Sequence, residues 1–503
     1  MDNPRGPLLL LAAAVVGVVV GERAGGHAAV PEVVTGCLLI GVAVATLDRS
    51  GPGANDRGTG RARTRLAVAA LAVLLLASAS MQRALDGLEH SPLTDAVATY
   101  RSRTVWVTLA EDPAGPTRFV VDALGRVSGR TVLVVARGDA AGRMRILAAG
   151  DRIRLRGSFR PLSGWDTRER WRHAVGAFEA TELLGLQEPS SALARLANRL
   201  RGLVLDGTRP APATERALLA GLLLGDTRSI PATTVREFRD AGLTHHLAVS
   251  GENVAFVLAL FGPVLRRLGF RGRFVAGLAV IVVFGTMTRW EPSVLRAVAM
   301  AGCAMFAGFL GRPAQGLRVL VLAVSGLLLA DPFLMHSVGF LLSCGATVGI
   351  ALLSAPIAAR LPGPHALRDP LAVTVAAQVG VAPVLLPVFG SLPLASLPAN
   401  VLAAPLMGPI TIGGLVAGTT GGVIRPIAPM LCALLLGPVV AFVRALEGIA
   451  AAAALVPLTL HERSALAVVA IGSGAVGCVR LVVGRSTPRP RVASGPEAPA
   501  GRR

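Results

Sequence analysis

A succession of apolar stretches constrains this chain more than any other feature of it. From Leu247 onward the runs are Leu247–Leu268, Phe274–Met287, Val294–Leu310, Leu317–Leu329, Phe333–Ala358, Leu371–Phe389, Val401–Val423, Ala428–Ala452 and Ala465–Val483. Three more open the chain, at Pro7–Gly21, Val33–Leu47 and Leu66–Ser80. In hydrocarbon each backbone N–H and C=O must be satisfied within its own segment, so such runs fold as helices. Of 503 residues 52% are hydrophobic and only 16% charged, and mean hydropathy is +0.61. A soluble chain of this length would carry more polar surface. The first run leads to further runs and not to a cleavage site, so it is a span and not a signal peptide. Several runs are shorter than the about 20 residues of a span or are interrupted by Gly and Pro. Interruptions of that kind suggest broken or re-entrant helices lining a wet cavity.

Charge sets an orientation. The formal net charge is +20, and the basic residues are all arginine. Arginine forks onto phosphate, so an anionic partner is permitted, although positive-inside topology and lipid headgroups account for much of the same excess. The loop carrying Arg49, Arg57, Arg61, Arg63 and Arg65 reads as cytoplasmic, which places the N-terminus inside and whatever follows Ser80 outside. The tail 485–503, rich in Arg, Pro and Gly, reads as disordered and cytoplasmic. Cys37, Cys303, Cys344, Cys432 and Cys478 all lie inside apolar runs with no metal spacing, and read as small buried hydrophobes.

Between Tyr100 and Leu186 the pattern changes to period two, in Thr104–Leu109, Arg118–Val121, Thr131–Val135 and Asp151–Gly157. Short strands between Gly, Asp and Pro turns predict a small all-β barrel, and Ala149–Gly157 reads as the strand of an OB-fold, a barrel that often binds single strands. On it Arg152, Arg154, Arg156 and Arg160 would meet phosphates, and Trp106, Phe119 and Phe159 would stack on bases. A solvated basic sheet face is the plain alternative. Two amphipathic stretches follow, near Ala192–Leu205 and Pro212–Leu224.

Ionisable groups inside apolar runs are costly and mark a pathway by default. The densest set is His245, His246, Ser250, Glu252 and Asn253. On a continuous helix His246, Ser250 and Asn253 form one stripe, whereas a break at Gly251 would leave free carbonyls beside them. A second set is Arg289, Glu291, Ser293 and Arg296, in which Glu291 and Arg296 either pair or face a pore. A third is Asp331, His336 and Ser343, and Gln378 and Asn400 stand alone in apolar surroundings. The histidines read equally as an interfacial cap, Glu291 and Asp331 as snorkelling or capping residues, and Asn400 as a helix N-cap. No Walker loop, HExxH or His/Asp metal cluster is present, so no cofactor is expected and the chain does not read as an enzyme. A membrane hydrolase would rest on Ser250 and its histidines alone, without a GxSxG elbow.

Leu222–Asp226, followed by Phe238–Gly251, resembles the signature "LLLGD … F..aGl.HllAVSG" of the ComEC-type competence family nearly position for position. Pro292–Ala297 is similar to its "SPSVLRA", Leu329–Pro332 to its "DP" step, and Leu397–Asn400 with Pro405 to its "gl.aN..a.P". The departures are Glu252-Asn253 where the family has a histidine, and Leu341 where it often has glutamine. Many members also carry a C-terminal metallo-β-lactamase-like domain, and the resemblance is to the form without it. It implies a polytopic α-helical membrane protein of the bacterial inner membrane with an extracytoplasmic OB-like domain. It implies a channel importing single-stranded DNA during natural transformation, with a DNA receptor outside, a helicase-like ATPase inside, and room for a homo-oligomer in the bilayer. The rival is a secondary transporter or exporter of a small or lipid-linked solute. The division expected is 1–85 N-terminal helices, 99–187 barrel, 190–484 channel domain and 485–503 tail. Reporter fusions after Arg57 and Arg489 should be active in the cytoplasm and one after Arg154 outside it. Cytoplasmic activity after Arg154 would reverse the assignment.

Overall fold

The computed structural model describes residues 5–25 and 57–456, apart from Arg101, Arg118, 312–314 and Leu394, together with scattered residues between 33 and 39 and the short strand 459–461. Most of the run Val33–Leu47, the run Ala465–Val483 and the tail 485–503 lie outside the described residues.

Helix α1 (Arg5–Ala24) packs along α2 (Arg57–Glu89), and α3 (Thr94–Ala98) leads into the sheet. Residues 57–65, expected as part of a loop, are instead the first turns of α2. Arg and Ala are good helix formers, and a helix does not stop where hydrocarbon ends.

The sheet comprises β1 (Ser102–Leu109), β2 (Ala114–Thr117), β3 (Val120–Val127), β4 (Arg130–Arg137), β5 (Arg152–Arg160) and β6 (Ala174–Gln187). Its order is β1-β5-β6-β4-β3-β2, and β1 also pairs with β3, so the sheet closes on itself. Pairing is antiparallel except for β4 against β6. Helix α4 (Asp139–Met144) connects β4 to β5, and a 3-10 segment at Gly164–Arg172 connects β5 to β6. Alternation in the sequence marks β1, β4 and β5, whereas the expected strand Arg118–Val121 reaches only the first two residues of β3, and β2 and the long β6 carry no such mark. Along β5 the residues alternate, with Ile153, Leu155 and Phe159 inside and Arg152, Arg154 and Arg156 outside. That alternation overturns the base-stacking role expected of Phe159. Its ring is 1% exposed and packs edge-on against Phe178 at 4.9 Å in the core.

Beyond the sheet the helices are α5 (Ala192–Gly207), α6 (Ala213–Leu224), α7 (Ala232–Asp240), α8 (Thr244–Leu247), α9 (Gly251–Arg267), α10 (Phe270–Met287), α11 (Pro292–Phe309), α12 (Gly316–Ala330), α13 (Val338–Ala358), α14 (His365–Phe389), α15 (Ser396–Ile424) and α16 (Pro429–Ala454). Among the described residues, seven helices are long and apolar enough to cross a bilayer: α2 from Thr64, α10, α11, α13, α14, α15 and α16. The protein is therefore a multi-pass membrane protein with a small mixed-sheet domain. One core joins α5–α7 with α9–α11, α15 and α16; a second joins α1, α2, α12, α13 and the 3-10 turn Pro332–His336. Helix α6, expected as amphipathic, is buried nearly all round, because α15 and α16 cover the side that solvent would have taken. The run Phe333–Ala358 is divided by the 3-10 turn, since Pro332 and the Asp331 cap restart the chain there.

Replacing Phe159 with Ala should destabilise the sheet domain by about 3–5 kcal/mol through cavity formation. Hydrogen exchange of the β5 and β6 amides in the intact protein should quicken accordingly, while the membrane helices keep their protection.

Candidate functional site

Two polar constructions organise the molecule. The first lies where the sheet domain meets the membrane helices. Asp112, in the β1–β2 connection, receives Arg201 Nη2 at 2.7 Å on one oxygen and faces Arg289 Nη2 at 2.7 Å with the other. Arg201 also donates to the carbonyls of Leu224 and Met287, at 2.8 and 2.5 Å. Arg289 reaches Asn198 Oδ1 at 2.8 Å, and Asn198 in turn donates to the Ala149 carbonyl at 3.0 Å. Asp226 pairs with Arg228 at 2.6 Å, and Arg228 donates to the Pro113 carbonyl at 3.1 Å. One loop of the sheet domain is thus held by α5, by the turn after α6 and by the turn between α10 and α11.

The backbone is bent to make this possible. Arg289 and Trp290 both have left-handed φ, 58° and 55°, which costs roughly 1–2 kcal/mol each for residues with a Cβ. The ion pair to Asp112 and the seat of the Trp290 ring on Gly285 offset that cost. Burial pushes the Asp112 carboxyl up, but Arg201 and Arg289 more than reverse this and hold it below the ordinary carboxylate value. Burial and the neighbouring Arg289 bring the Arg201 guanidinium down to about 10, against the pull of Asp112, so it stays charged at neutral pH. The motif residue Asp226 belongs to this set, whereas Asp112 and Arg201 were not singled out from the sequence. A signal existed: Arg201 falls on the buried stripe of α5 with Ala197 and Val204, where a cation needs a partner.

A second bridge lies nearby. Asp331 caps the Phe333 amide and faces His173 Nε2 of the sheet domain at 3.0 Å. Trp171 stacks on His336 at 3.7 Å. Asp331 is thereby placed at the domain junction.

The second construction is a broken helix inside the membrane domain. Helix α8 ends at Leu247, Ala248 and Ser250 are extended, and α9 starts at Gly251. Of the two arrangements open to this segment the chain takes the break, so His246, Ser250 and Asn253 do not form one stripe. Asn253 turns inward, donating to the Leu222 carbonyl at 2.9 Å and facing Thr411. Ser293 donates to the Val249 carbonyl, freed by the break, at 2.8 Å. Arg296 donates from Nε to Ser343 Oγ at 2.7 Å and from Nη1 to Met300 Sδ at 2.8 Å. It makes no pair with Glu291, which lies toward Arg172 and Glu111 of the sheet domain. Gln378 donates to Ser396 Oγ at 3.1 Å. Asn400 donates to the Ser396 carbonyl at 2.7 Å from within α15, so it is an interior helix residue and not an N-cap. His246 is buried beside Asn400 without a well-formed hydrogen bond. His245 is exposed on the short helix before the break, its ring tilted against that of His246 at 4.1 Å. Glu252 is exposed at the start of α9.

On the sheet, Trp106, Arg152, Arg154 and Arg156 share the outer face of β1 and β5. Arg152 lies over the Trp106 ring at 5.6 Å, and Arg156 pairs with Glu182 at 3.0 Å. Phe119 sits apart at the β2–β3 turn, and Arg160 is held by Asp166 and Glu179 at 2.5 and 2.9 Å. Among the described residues no group of His, Cys, Asp and Glu is placed to hold a metal.

A multi-pass membrane protein with a polar break at a recurring sequence motif is the class these features define. The sequence profile of the competence protein family matches residues 222–482, more than half of the chain, and the protein belongs to that family. It is 25% identical over 328 residues to ComE operon protein 3 of Bacillus subtilis (strain 168), covering 60% of this chain and 42% of that protein. It is 28% identical over 219 residues to the uncharacterized protein YcaI of Escherichia coli (strain K12), covering 40% of this chain and 28% of that one. The chain thus aligns with less than half the length of either relative. No solved structure matches it.

Asp112→Asn should weaken the junction by about 3–5 kcal/mol, because it leaves Arg289 buried without its counter-charge and Arg201 with only Asp226, 3.9 Å away. Protease cleavage between the sheet domain and α5 in the detergent-solubilised protein should rise accordingly. Because the Asp112 carboxyl is held below its ordinary value of 3.8, its contribution is present above that value and is lost as pH falls through the lowered one. The increase in cleavage caused by Asp112→Asn, relative to the unaltered protein, should therefore be the same at pH 5 as at pH 7.

Proposed function

We propose that the protein is a conduit carrying single-stranded DNA across a bacterial inner membrane during natural transformation, with the sheet domain on the outer side. The observation that carries this reading is the coincidence of the family match with the polar break at 248–250: the most motif-like residues are those the bilayer would least tolerate without a purpose. We divide the chain accordingly into N-terminal helices 1–85, a receiving domain 99–187, a conduit 190–484 and a tail 485–503. The receiving domain is read as OB-type. Its support is the closed order β1-β5-β6-β4-β3, the parallel β4–β6 pair and the helix between β4 and β5. Trp106 with Arg152, Arg154 and Arg156 would take bases and phosphates on its outer face. His245, His246, Ser250, Glu252, Asn253, Ser293, Arg296, Ser343, Gln378 and Asn400 are the candidates for the inner route, and Glu291 and Asp331 for its mouth beside the sheet domain. Translocation takes its energy from a partner, and a cytoplasmic helicase-like ATPase fits that need, as a DNA receptor fits the outer side.

Deleting the gene in a transformable host should leave labelled DNA bound at the cell surface and absent from the cytoplasm, with entry restored by the intact gene. Unchanged DNA entry would sink the reading and favour a solute transporter. Reversing charge at Arg152, Arg154 and Arg156 together in the full chain should flatten the salt dependence of strand binding by roughly 2 in log–log slope, at about 0.7 per phosphate contact.

A further inference from the structure

Arg296 has no use in the packing described so far. It is 8% exposed, within the membrane domain, and both of its hydrogen-bond acceptors, Ser343 Oγ and Met300 Sδ, are neutral. Among the described residues no carboxylate pairs with it. A guanidinium has five N–H groups; with two engaged, three are left without an acceptor. A buried cation with no counter-charge is among the costlier things a fold can keep.

What stands opposite makes the cost larger. The first residue of α9, Gly251, is so close that a Cβ there would lie 2.6 Å from Arg296 Nη2. The positive end of a 17-residue helix therefore abuts a positive side chain. Ser250, at the N-cap position, caps nothing: its Oγ is buried with no hydrogen-bond partner. The cation abuts the helix N-terminus, and the residue just before that N-terminus carries an unsatisfied hydroxyl, a combination that an anion would satisfy.

We infer that Arg296, Ser250 and the N-terminal amides of α9 form a subsite for one phosphate group, the phosphodiester of a nucleic-acid strand. This rests on the conduit reading. The free edge of the guanidinium supplies the fork, Ser250 Oγ a donor, and Ser343 holds the guanidinium in place from behind. Among the described residues Arg296 is the one cation there paired with no carboxylate, matching the single negative charge of a phosphodiester. Gly251 is required because any side chain there would displace the fork. Glu252, exposed on the next residue, sets a negative charge near the site, so a phosphate is gripped and released, as passage through a conduit demands.

The test uses the full-length protein in nanodiscs of zwitterionic phosphatidylcholine and a fluorescent single-stranded oligonucleotide, with affinity followed against salt. Arg296→Gln should lower affinity about tenfold and reduce the log–log salt slope by about 0.7. Gly251→Ala, which keeps every charge but pushes the guanidinium aside, should do the same, and Arg296→Lys should keep the slope while losing affinity. Unchanged affinity and slope in Arg296→Gln and Gly251→Ala would overturn the subsite while leaving the conduit standing; failure of the unaltered protein to bind or pass DNA would overturn the conduit itself. If phosphatidylglycerol in the nanodisc erases the difference between unaltered protein and Arg296→Gln, the phosphate is a lipid's and the assignment to a strand fails. Should both variants fail to fold, the unaltered protein decides. A dinucleotide should raise its thermal midpoint and the uncharged methylphosphonate analogue should not; equal shifts, or none, would overturn the subsite.

Discussion

The ion set centred on Asp112 is the interaction on which the arrangement of the two domains depends. Three segments of the membrane domain, α5, the turn after α6 and the turn between α10 and α11, converge on one loop of the sheet domain through Arg201, Arg228 and Arg289. Each charge would be costly alone, and here each has a counter-charge, with the Asn198 side chain tying Arg289 to the Ala149 carbonyl, although Arg289 Nε keeps no hydrogen-bond partner. Such a set contributes less to net stability than to uniqueness, since apolar residues of equal volume could hold the same surfaces in many registers. The left-handed Arg289 and Trp290 show how far the backbone departs from its preferences to complete it.

The same logic, run in reverse, applies deeper in the membrane domain. At the junction every buried arginine meets a carboxylate. At the helix break Arg296 meets a hydroxyl, a thioether and the positive end of α9. Within a single chain, the buried arginines of the joint are paired with carboxylates and the one at the helix break is not. Gly251 is where α9 comes closest to the guanidinium, a Cβ there lying 2.6 Å from Nη2.

A second, smaller bridge supports the Asp112 set. Besides Asp112, the 3-10 segment Gly164–Arg172 and His173 press Trp171 and the His173 ring onto Phe333 and His336, at the turn that links α12 to α13. Asp331, the motif residue of that turn, serves as both cap and contact. Residues that stand out in the sequence as polar groups in apolar runs thus fall into two kinds, those at the joint and those at the break. Asp226, Arg289, Glu291 and Asp331 belong to the first, and Ser250, Ser293, Arg296 and Ser343 to the second.

By itself the sequence determined that the chain lives in a bilayer, that a β domain interrupts the helices, and that polar groups cluster at 245–253 and 289–296. These follow from local rules: apolar runs must be helical, alternation of two makes a strand, and charge in hydrocarbon needs a reason. Tertiary structure alone decided which polar groups meet. Arg201 and Asp112 are 89 residues apart, and Arg296 and Ser343 are 47, separations that no periodicity spans. It decided that α6 is covered nearly all round, that Phe159 points into the sheet while its neighbours point out, and that the chain breaks before Gly251 in place of running on as one helix. The reason is the same each time: a residue's neighbours along the chain set its local shape, but the cost of a buried charge or ring depends on what packs against it from elsewhere.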